Sequence, residues 1–278
     1  METLRIIGFD ANGSVVCNEL HEGTDFAIIN DALNITQTMI EAFQGGVCDF
    51  YFIANEEGYK VYDSQTTLSN YLVTPDLQKE SLDNCLIATP IEITTLGSSP
   101  ILMTTSVRST LKPGDNTINN IELVRCFAKA QLLLKVEDNG TVSEPTNVEL
   151  SGLAPDSFYL LPGNLSYTVD VSGNNSLMNT ELEAEDYFFI SRVVYLPERY
   201  LSNSTNTQEN AVKYQITLDK AYEVPIADNT TGDLDYSIKR NYAYTTIGTY
   251  VPASEASVTL EWEVTPYTPV NVDVPTFD

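Results

Sequence analysis

Residues 111–136 constrain the fold of this chain more than any other segment. They open with a Lys-Pro-Gly-Asp turn, and residues 118–136 then alternate as a long β-strand does. The two predicted faces are Val124, Cys126, Ala128, Ala130, Leu132, Leu134 and Val136 on one side, and Arg125, Phe127, Lys129, Gln131 and Lys135 on the other. The apolar face predicts a packed sandwich core. Because Glu122, Arg125 and Lys129 also share a helical stripe, periodicity leaves a helix as the alternative.

The charge balance excludes one class of partner. The chain of 278 residues carries 14 basic and 39 acidic residues, a formal net charge of -25. Without a basic stripe it cannot displace the counterions of a phosphate backbone, so nucleic acid is not expected as a partner. High negative charge also keeps copies of an exposed protein soluble and apart, which is the plain alternative to any specific role.

The sequence contains no run of about 18 apolar residues, so no membrane-spanning segment is expected. The first ten residues lack the basic, apolar and small-residue regions of a secretion signal, and they are typical of the middle of a strand. We therefore expect that a targeting segment preceded residue 1.

The four cysteines, Cys17, Cys48, Cys85 and Cys126, show no C-x-x-C spacing, and the chain has one histidine. A zinc site is therefore not expected. Cys48 and Cys126 alternate with apolar neighbours, which favours buried thiols. Two disulfides, in any of three pairings, are the alternative.

Short apolar segments separated by Gly, Pro, Asn and Asp predict an all-β sandwich fold. The predicted strands are residues 4–10, 48–55, 101–108, 118–136, 147–150, 166–171, 187–195, 212–218, 237–250, 257–264 and 270–277, with a hairpin turn at 10–13. One helix is predicted from the spacing of Ala32, Ile35, Met39, Ile40 and Phe43, and helical turns at 75–84 and 197–202. A break at residues 161–164 predicts two domains, residues 1–160 and 161–278.

No nucleophile elbow, phosphate-binding loop or zinc-protease motif is found, so we expect no enzyme, no cofactor and no metal site. His21 lies in a polar segment and is predicted to be solvated. The alternating Glu181, Glu183 and Glu185 predict a solvated strand edge rather than a glycosidase pair or a calcium site. Residues 228–235 lack the spacing of an EF-hand and predict a turn rather than a calcium loop.

The C-terminal tail combines prolines with alternation. Val270, Val272 and Val274 share one face of a predicted strand that ends near Phe277, whereas Asn271 and Asp273 share the other. Pro266 and Pro269 precede this strand, as prolines do beside an edge strand. It is either an edge strand closing the second domain or a detachable donor strand that fills an open groove on another copy.

Several blocks of sequence follow one another along nearly the whole chain. They are Leu4-Arg5-Ile6-Ile7-Gly8-Phe9-Asp10-x-Asn12-Gly13, Asp49-Phe50-Tyr51-Phe52-Ile53-Ala54-Asn55, Pro100-Ile101-Leu102-Met103-Thr104, Gly114-Asp115-Asn116 with Val124-Arg125-x-x-Ala128-Lys129, and Tyr195-Leu196-Pro197-Glu198 with Arg240-Asn241-x-x-Tyr244. In this order and spacing they resemble the Bacteroidales fimbrillins, the family of major and minor fimbrial subunits. The matching positions that we take as structural are Asp10, Asn55, Met103, Arg125, Lys129, Pro197 and Glu198.

The resemblance implies two transthyretin-like β-sandwich domains of Greek-key topology with one or two short helices, and it makes residues 118–136 a central strand of the first. It also implies export as a lipoprotein precursor, removal of the first strand by proteolysis at an arginine, and polymerisation by strand donation. Arg5 lies inside a predicted strand, so the processing arginine is expected upstream of residue 1. The chain departs from the family at Pro266-Tyr267, where the family has Pro-Trp, and it shows no lipobox cysteine.

We therefore expect a structural subunit of an extracellular fimbria at the outer membrane surface. Its expected partners are other copies of itself or related fimbrial subunits. The alternative is a surface adhesin or fimbrial tip protein that binds a host glycan or protein.

Overall fold

The computed structural model describes residues 1–22, 26–29, 32–35, 46–89, 100–112, 116–136, 147–152, 157–162, 178–179, 182–185, 188–191, 193–218, 220–251, 257–266 and 270–277. The strands in the first half are β1 (Thr3–Phe9), β2 (Val15–Glu22), β3 (Phe26–Ile29), β4 (Ala32–Ile35), β5 (Gly46–Ala54), β6 (Leu86–Ala88), β7 (Met103–Leu111), β8 (Asn116–Arg125) and β9 (Phe127–Val136). Those that follow are β10 (Asn147–Ser151), β11 (Ser157–Tyr159), β12 (Met178–Asn179), β13 (Leu182–Glu185), β14 (Phe188–Ser191), β15 (Val194–Pro197), β16 (Lys213–Thr217), β17 (Ala221–Pro225), β18 (Tyr242–Val251), β19 (Ser257–Pro266) and β20 (Val270–Phe277). The helices are α1 (Leu68–Leu72) and α2 (Lys79–Asp83), with a 3-10 turn at Gln208–Asn210. The predicted all-β class is confirmed.

The first sheet folds over on itself. Its eight strands run in the order β2-β1-β5-β7-β8-β20-β4-β3. A flat sheet would hold β2 and β3 about 34 Å apart at roughly 4.8 Å per strand, whereas the chain between them, residues 23–25, reaches at most about 15 Å. The sheet therefore forms two layers, β2-β1-β5-β7 and β8-β20-β4-β3. The fold lies between β7 and β8, whose pairing is Met103 with Arg125 and Thr104 with Val124.

One hydrophobic core lies between these two layers. Residues of β1, β2, β5, β7 and β8 supply it, and it contains Leu4, Ile6, Cys17, Cys48, Phe50, Phe52, Ala54, Met103, Leu111, Ile118, Ile121 and Leu123. We call this set the first core. The opposite face of β1 and β5 is also buried, so these two central strands of the layer β2-β1-β5-β7 are covered on both sides.

The second half of the chain forms two further sheets that pack face to face. One has the order β13-β14-β9-β18-β19, with β15 also paired to β9, and the other has the order β12-β10-β16-β17. Leu132, Leu150, Tyr214 and Tyr244 are among the residues buried between them. A two-stranded ribbon of β11 and β6 joins the halves, because Ser157–Tyr159 pairs with Leu86–Ala88.

The single long strand predicted over residues 118–136 is wrong. β8 belongs to the first sheet and β9 to the second, so the chain changes sheets at Cys126, whose N–H donates to the Leu102 carbonyl at 2.9 Å. The buried positions also change parity there, from Ile121 and Leu123 to Ala128 and the later even residues of β9. Residues 127–136 are thus not a strand of the first sheet. The division of the chain at residue 160 stays a prediction.

The helix predicted from Ala32 to Phe43 is wrong where the structure describes it, because residues 32–35 form β4. Pairing with β3 and β20 satisfies the backbone of β4 and overrides the helical spacing of a short apolar run; Met39, Ile40 and Phe43 lie outside the described residues. The helical turn predicted at 75–84 contains α2, whereas the one predicted at 197–202 is wrong, because these residues form no helix and Arg199 is bridged to Ile238. No helix in the described part of the chain is long and apolar enough to cross a membrane.

The four cysteines are free thiols, and all four are buried. Burial raises the pKa of Cys17 and Cys85 to about 12, and that of Cys48 and Cys126 to about 11. A thiol with such a pKa holds almost no thiolate at neutral pH, so these residues are chemically inert in the folded chain.

A buried ion pair fixes the start of the first sheet. The Arg5 guanidinium donates to both carboxylate oxygens of Glu56 at 2.7 and 2.8 Å, and to Asn18 Oδ1 at 2.9 Å. Arg5 and Glu56 are 5% and 2% exposed. Arg5 belongs to β1, an interior strand of the sheet that is flanked by β2 and β5. This agrees with its predicted place inside a strand.

We predict that a thiol reagent such as Ellman's reagent titrates no cysteine in the native protein at pH 8 and four cysteines in denaturant without a reductant. Burial blocks access and suppresses the thiolate in the folded state alone. Fewer than four reactive thiols after unfolding would show a disulfide and contradict the structure.

We predict that Glu56→Leu lowers the free energy of unfolding by about 3–5 kcal/mol, because it leaves the buried Arg5 charge without its carboxylate. Urea unfolding measures the change. The matched control is Glu57→Leu at the exposed neighbouring position, expected to stay within about 0.5 kcal/mol of the wild type. Equal stability of the two variants would contradict the role of this pair.

Candidate assembly site

The C-terminal strand lies in the first sheet, although the strand before it lies in the second. β19 is an edge strand of its sheet, and only residues 267–269 separate it from β20. β20 pairs antiparallel with β8 and parallel with β4, where Val272 and Asp273 stand opposite Leu33 and Asn34. The alternative that this strand closes the second domain as an edge strand is therefore wrong.

The predicted donor residues stand opposite the first core. Val270, Val272 and Val274 are in register with Leu123, Ile121 and Ile118 of β8, and Phe277 is in register with Asn116. Directly opposed residues of an antiparallel pair occupy the same face of a sheet. The three β8 partners are at most 4% exposed and belong to the first core. The valine positions of β20 are thus on the core face, and Asn271 is opposite the exposed Glu122.

β8 depends on this strand for its pairing. Its last two residues pair with β7, and its positions from Asn116 to Leu123 pair with β20. Among the described strands, β20 is the strand that lies between β8 and β4, and it pairs with the backbone N–H and C=O groups that these two strands direct towards it. Unpaired backbone N–H and C=O groups next to an apolar core raise the free energy of the folded state. The slot between β8 and β4 therefore requires a strand that pairs with them.

The ladder between β20 and β8 is irregular at one end. Pairing is regular from Val270 to Val272, and the register shifts between Val272 and Val274 and again between Val274 and Phe277. Pro275 falls in the second interval, and proline has no N–H to donate to a ladder. Pairing with β4 is confined to Val272 and Asp273. The half of β20 from Val274 to Phe277 is therefore its more weakly held half.

A cluster of buried polar groups holds the two halves of the chain together. The Arg240 guanidinium donates to both carboxylate oxygens of Glu198, with Nε to Oε2 at 2.6 Å, and also to the carbonyls of Tyr159 at 2.6 Å and Leu160 at 3.2 Å. The Leu160 carbonyl accepts a second bond from Thr104 Oγ1 at 2.6 Å. We call Thr104, Leu160, Glu198 and Arg240 the junction cluster. It connects β7 of the first sheet to the end of β11, the end of β15 and the start of β18.

Four more of the resemblance positions lie on β7, β8, β9 and β15, the strands around this cluster. Met103 pairs with Arg125, whose Nη1 donates to Asn241 Oδ1 at 3.2 Å, and the Asn241 N–H donates to the Phe127 carbonyl at 3.1 Å. Asn241 has a φ of 61°, a conformation that asparagine tolerates better than most residues. Lys129 pairs with Tyr195 and Ala243 in neighbouring strands, and Pro197 pairs with Phe127. Sequence reasoning did not single out Arg240 as a site residue, although its block contained it.

The other two resemblance positions organise the ends of β1. Asn55, with a φ of 60°, accepts the Glu2 N–H at 2.9 Å and donates to the Ile101 carbonyl at 2.8 Å. Asp10 accepts the N–H groups of Asn12 and Ser14 at 2.8 and 2.9 Å, which forms the predicted hairpin turn. The backbone hydrogen bond from Ser14, with those from Asn12 and Gly13, holds the pKa of the Asp10 carboxyl below its ordinary value. Both residues therefore fix local backbone geometry.

The histidine and the acidic residues that the sequence analysis weighed as possible functional groups lie in the following places. His21 is buried in β2 at 2% exposure, so its predicted solvation is wrong; the alternation of β2 places it on the same face as Cys17 of the first core. Asp228 and Asp235 each hold Lys239 Nζ at 3.0 Å, so a lysine ammonium bridges the two carboxylates of the turn predicted at 228–235. β13, which carries Glu183 and Glu185, is an edge strand. Within the described ranges, no group of three or more metal-binding side chains is assembled.

Solved structures show which proteins share this architecture. The tip fimbrial protein Mfa3 from Porphyromonas gingivalis, with a C-terminal truncation, superposes with a TM-score of 0.63 at 15% identity, over 96% of this chain and 94% of that one. A fimbrial assembly protein from Parabacteroides distasonis gives a TM-score of 0.56 at 17% identity, over 96% and 91%. This chain has the fold of the Bacteroidales fimbrial proteins. No family model and no curated protein matches its sequence.

For this fimbrial fold, we predict that Glu198→Leu lowers stability by about 3–5 kcal/mol, or roughly 6–20 °C in Tm, because the Arg240 guanidinium loses its buried partner. Differential scanning calorimetry measures the shift. Glu209→Leu, in the exposed 3-10 turn, is the matched control and is expected to leave Tm within about 2 °C. A Glu198→Leu variant as stable as this control would contradict the junction cluster.

Proposed function

We propose that this protein is a structural subunit of a cell-surface fimbria that assembles by strand donation. In this proposal β20 is the donor strand, and the slot between β8 and β4 is the acceptor groove. The partners are other copies of this chain or related fimbrial subunits. The observation that carries the proposal is the position of β20, which follows the second half of the chain in sequence and completes the sheet of the first.

The physical basis of strand donation is that β20 and its groove together supply all the groups needed for pairing. The groove supplies backbone donors and acceptors along Asn116–Leu123 and an apolar floor at Ile118, Ile121 and Leu123, while β20 supplies valines at alternate positions. Such a strand recognises its groove equally well from the same chain or from another, because backbone pairing gives affinity and alternate side chains give register. Exchange of β20 between neighbours would therefore link subunits without any new interface chemistry.

We further propose that removal of an N-terminal strand, at an arginine upstream of residue 1, precedes assembly outside the outer membrane. The enclosure of Arg5 between β2 and β5, with its guanidinium paired to Glu56, supports a cut site other than Arg5. The expected location is the cell surface, in agreement with the fimbrial architecture.

We predict that Val272→Lys abolishes fibre formation, whereas Asn271→Lys preserves it. The lysine at residue 272 falls on the core face opposite Ile121, and the lysine at residue 271 falls opposite the exposed Glu122. Burial of an unpaired charge opposes strand insertion. Electron microscopy of the purified, processed protein, with size-exclusion chromatography of the soluble fraction, measures assembly.

The two neighbouring lysine variants carry the same added charge, so a general electrostatic effect would change both. Fibres formed by the Val272→Lys variant, or fibres lost in both variants, would contradict β20 as donor. A Val272→Lys subunit mixed with wild type should still accept a strand and therefore cap growing fibres.

A second candidate function is glycan binding at a fimbrial tip. A polar cavity of about 580 Å³ lies between the β1–β2 turn and α2, lined by Asn12, Gly13, Gln78, Lys79, Glu80, Ser81 and Asp83. Its amide and hydroxyl groups match the donors and acceptors of sugar hydroxyls. Binding of the monomer on a glycan array, lost in the double variant Asn12→Ala, Gln78→Ala, would support this role; an empty array would oppose it.

A further inference from the structure

We propose that β20 acts as an intramolecular cap: seated in its own groove, it keeps the subunit closed and excludes the β20 of a second copy until it is released. The inference rests on the proposed strand donation and adds the regulation of the same site.

The groove cannot hold two strands. β20 occupies the side of β8 from Asn116 to Leu123 and, on its own other side, pairs with β4 at Val272 and Asp273. Each backbone N–H and C=O group of the ladder is used once. A β20 from a second copy would need the same groups and the same positions opposite Ile121 and Leu123. Entry of a second strand therefore requires departure of the first.

The strand of the same chain has the advantage of proximity. Residues 267–269 are the whole connection between β19, which ends at Pro266, and β20, which starts at Val270. A short tether gives an attached segment an effective concentration on the order of 1 mM. A second copy at about 1 µM competes at roughly a thousandfold disadvantage when the two ladders are otherwise identical. The closed subunit therefore predominates in dilute solution.

The irregular ladder gives the direction of release. Pairing is regular at the end of β20 next to the tether, and both register shifts lie beyond Val272, with Pro275 in the outer one. The β4 contacts also stop at Asp273. The outer half of β20 therefore separates first, and this exposes β8 from Asn116 to Ile118. An incoming strand pairs there and advances towards Leu123 as the original strand leaves.

A reversible disulfide across the slot tests the cap. Ile121 and Val272 stand opposite each other in the ladder, so the double variant Ile121→Cys, Val272→Cys can lock β20 in place. The probe is a fluorescent peptide with the sequence of residues 266–278, titrated from about 1 µM to about 1 mM, the effective concentration of the tethered strand. We expect no binding to the oxidised variant at any concentration. After reduction, we expect binding with half-occupancy on the order of 1 mM.

Two controls isolate the effect. The double variant Gln215→Cys, Glu223→Cys places a disulfide between β16 and β17, a ladder that does not include β20, and its oxidised form should bind the peptide as the wild type does. A chain ending at Pro269 should reach half-occupancy at a lower peptide concentration than the wild type, because no tethered strand competes with the peptide. If that truncated chain fails to fold, a site-specific protease cut placed within residues 267–269 of the folded protein supplies the untethered strand instead.

The outcomes separate the inference from the proposed function. Peptide binding to the oxidised Ile121→Cys, Val272→Cys variant at the affinity of its reduced form would overturn the cap and leave strand donation intact. Failure of the folded, uncapped protein to bind the peptide would overturn strand donation into this groove. Binding to the uncapped protein and the reduced variant, with none to the oxidised variant, supports both.

Discussion

The backbone of β8 is the constraint on which the first half of the molecule depends. The sheet folds over between β7 and β8, so β7 pairs with the last two residues of β8. The residues of β8 from Asn116 to Leu123 pair with β20 instead. An apolar floor beside unsatisfied backbone groups is unstable in water, so the two layers close around a shared core only when a strand fills this slot. The strand that fills it is β20, which follows the second half of the chain, and this makes the first sandwich dependent on a segment distant from it in sequence.

The junction cluster determines where that strand begins. Arg240 is held by Glu198 and by the carbonyls of Tyr159 and Leu160, and Thr104 joins the Leu160 carbonyl from the first sheet. β18 starts two residues after Arg240 and pairs with the next strand, β19, and β20 starts four residues after β19 ends. A buried charge pair of this kind is sensitive to loss of one partner, so it fixes a relative position rather than adding much stability. It thereby aligns the second half of the chain with the groove in the first.

The sequence predicts more of the strands than of their partners. Alternation identified β1, β5, β19 and β20 to within two residues, and Asp10 identified its turn, because these signals are local. Alternation cannot show which strand lies alongside, so residues 118–136 read as one strand although Cys126 separates two sheets. The spacing of Ala32 and Ile35 suits a helix, but pairing with β3 and β20 makes β4 from it. The valine face of β20 was predictable; its place between β8 and β4 was not, because that pairing spans about half the chain or more.

Amide hydrogen exchange of β8 in the dilute monomer tests the central claim most directly. If β20 fills the slot, the amides of β8 between Asn116 and Leu123 that face β20 are protected in the intact chain. They lose that protection in the Val272→Lys variant, while the amides of β1 and β5 keep theirs. Rapid exchange of β8 in the intact chain, or protection unchanged by Val272→Lys, would contradict a first sandwich completed by its own C-terminal strand.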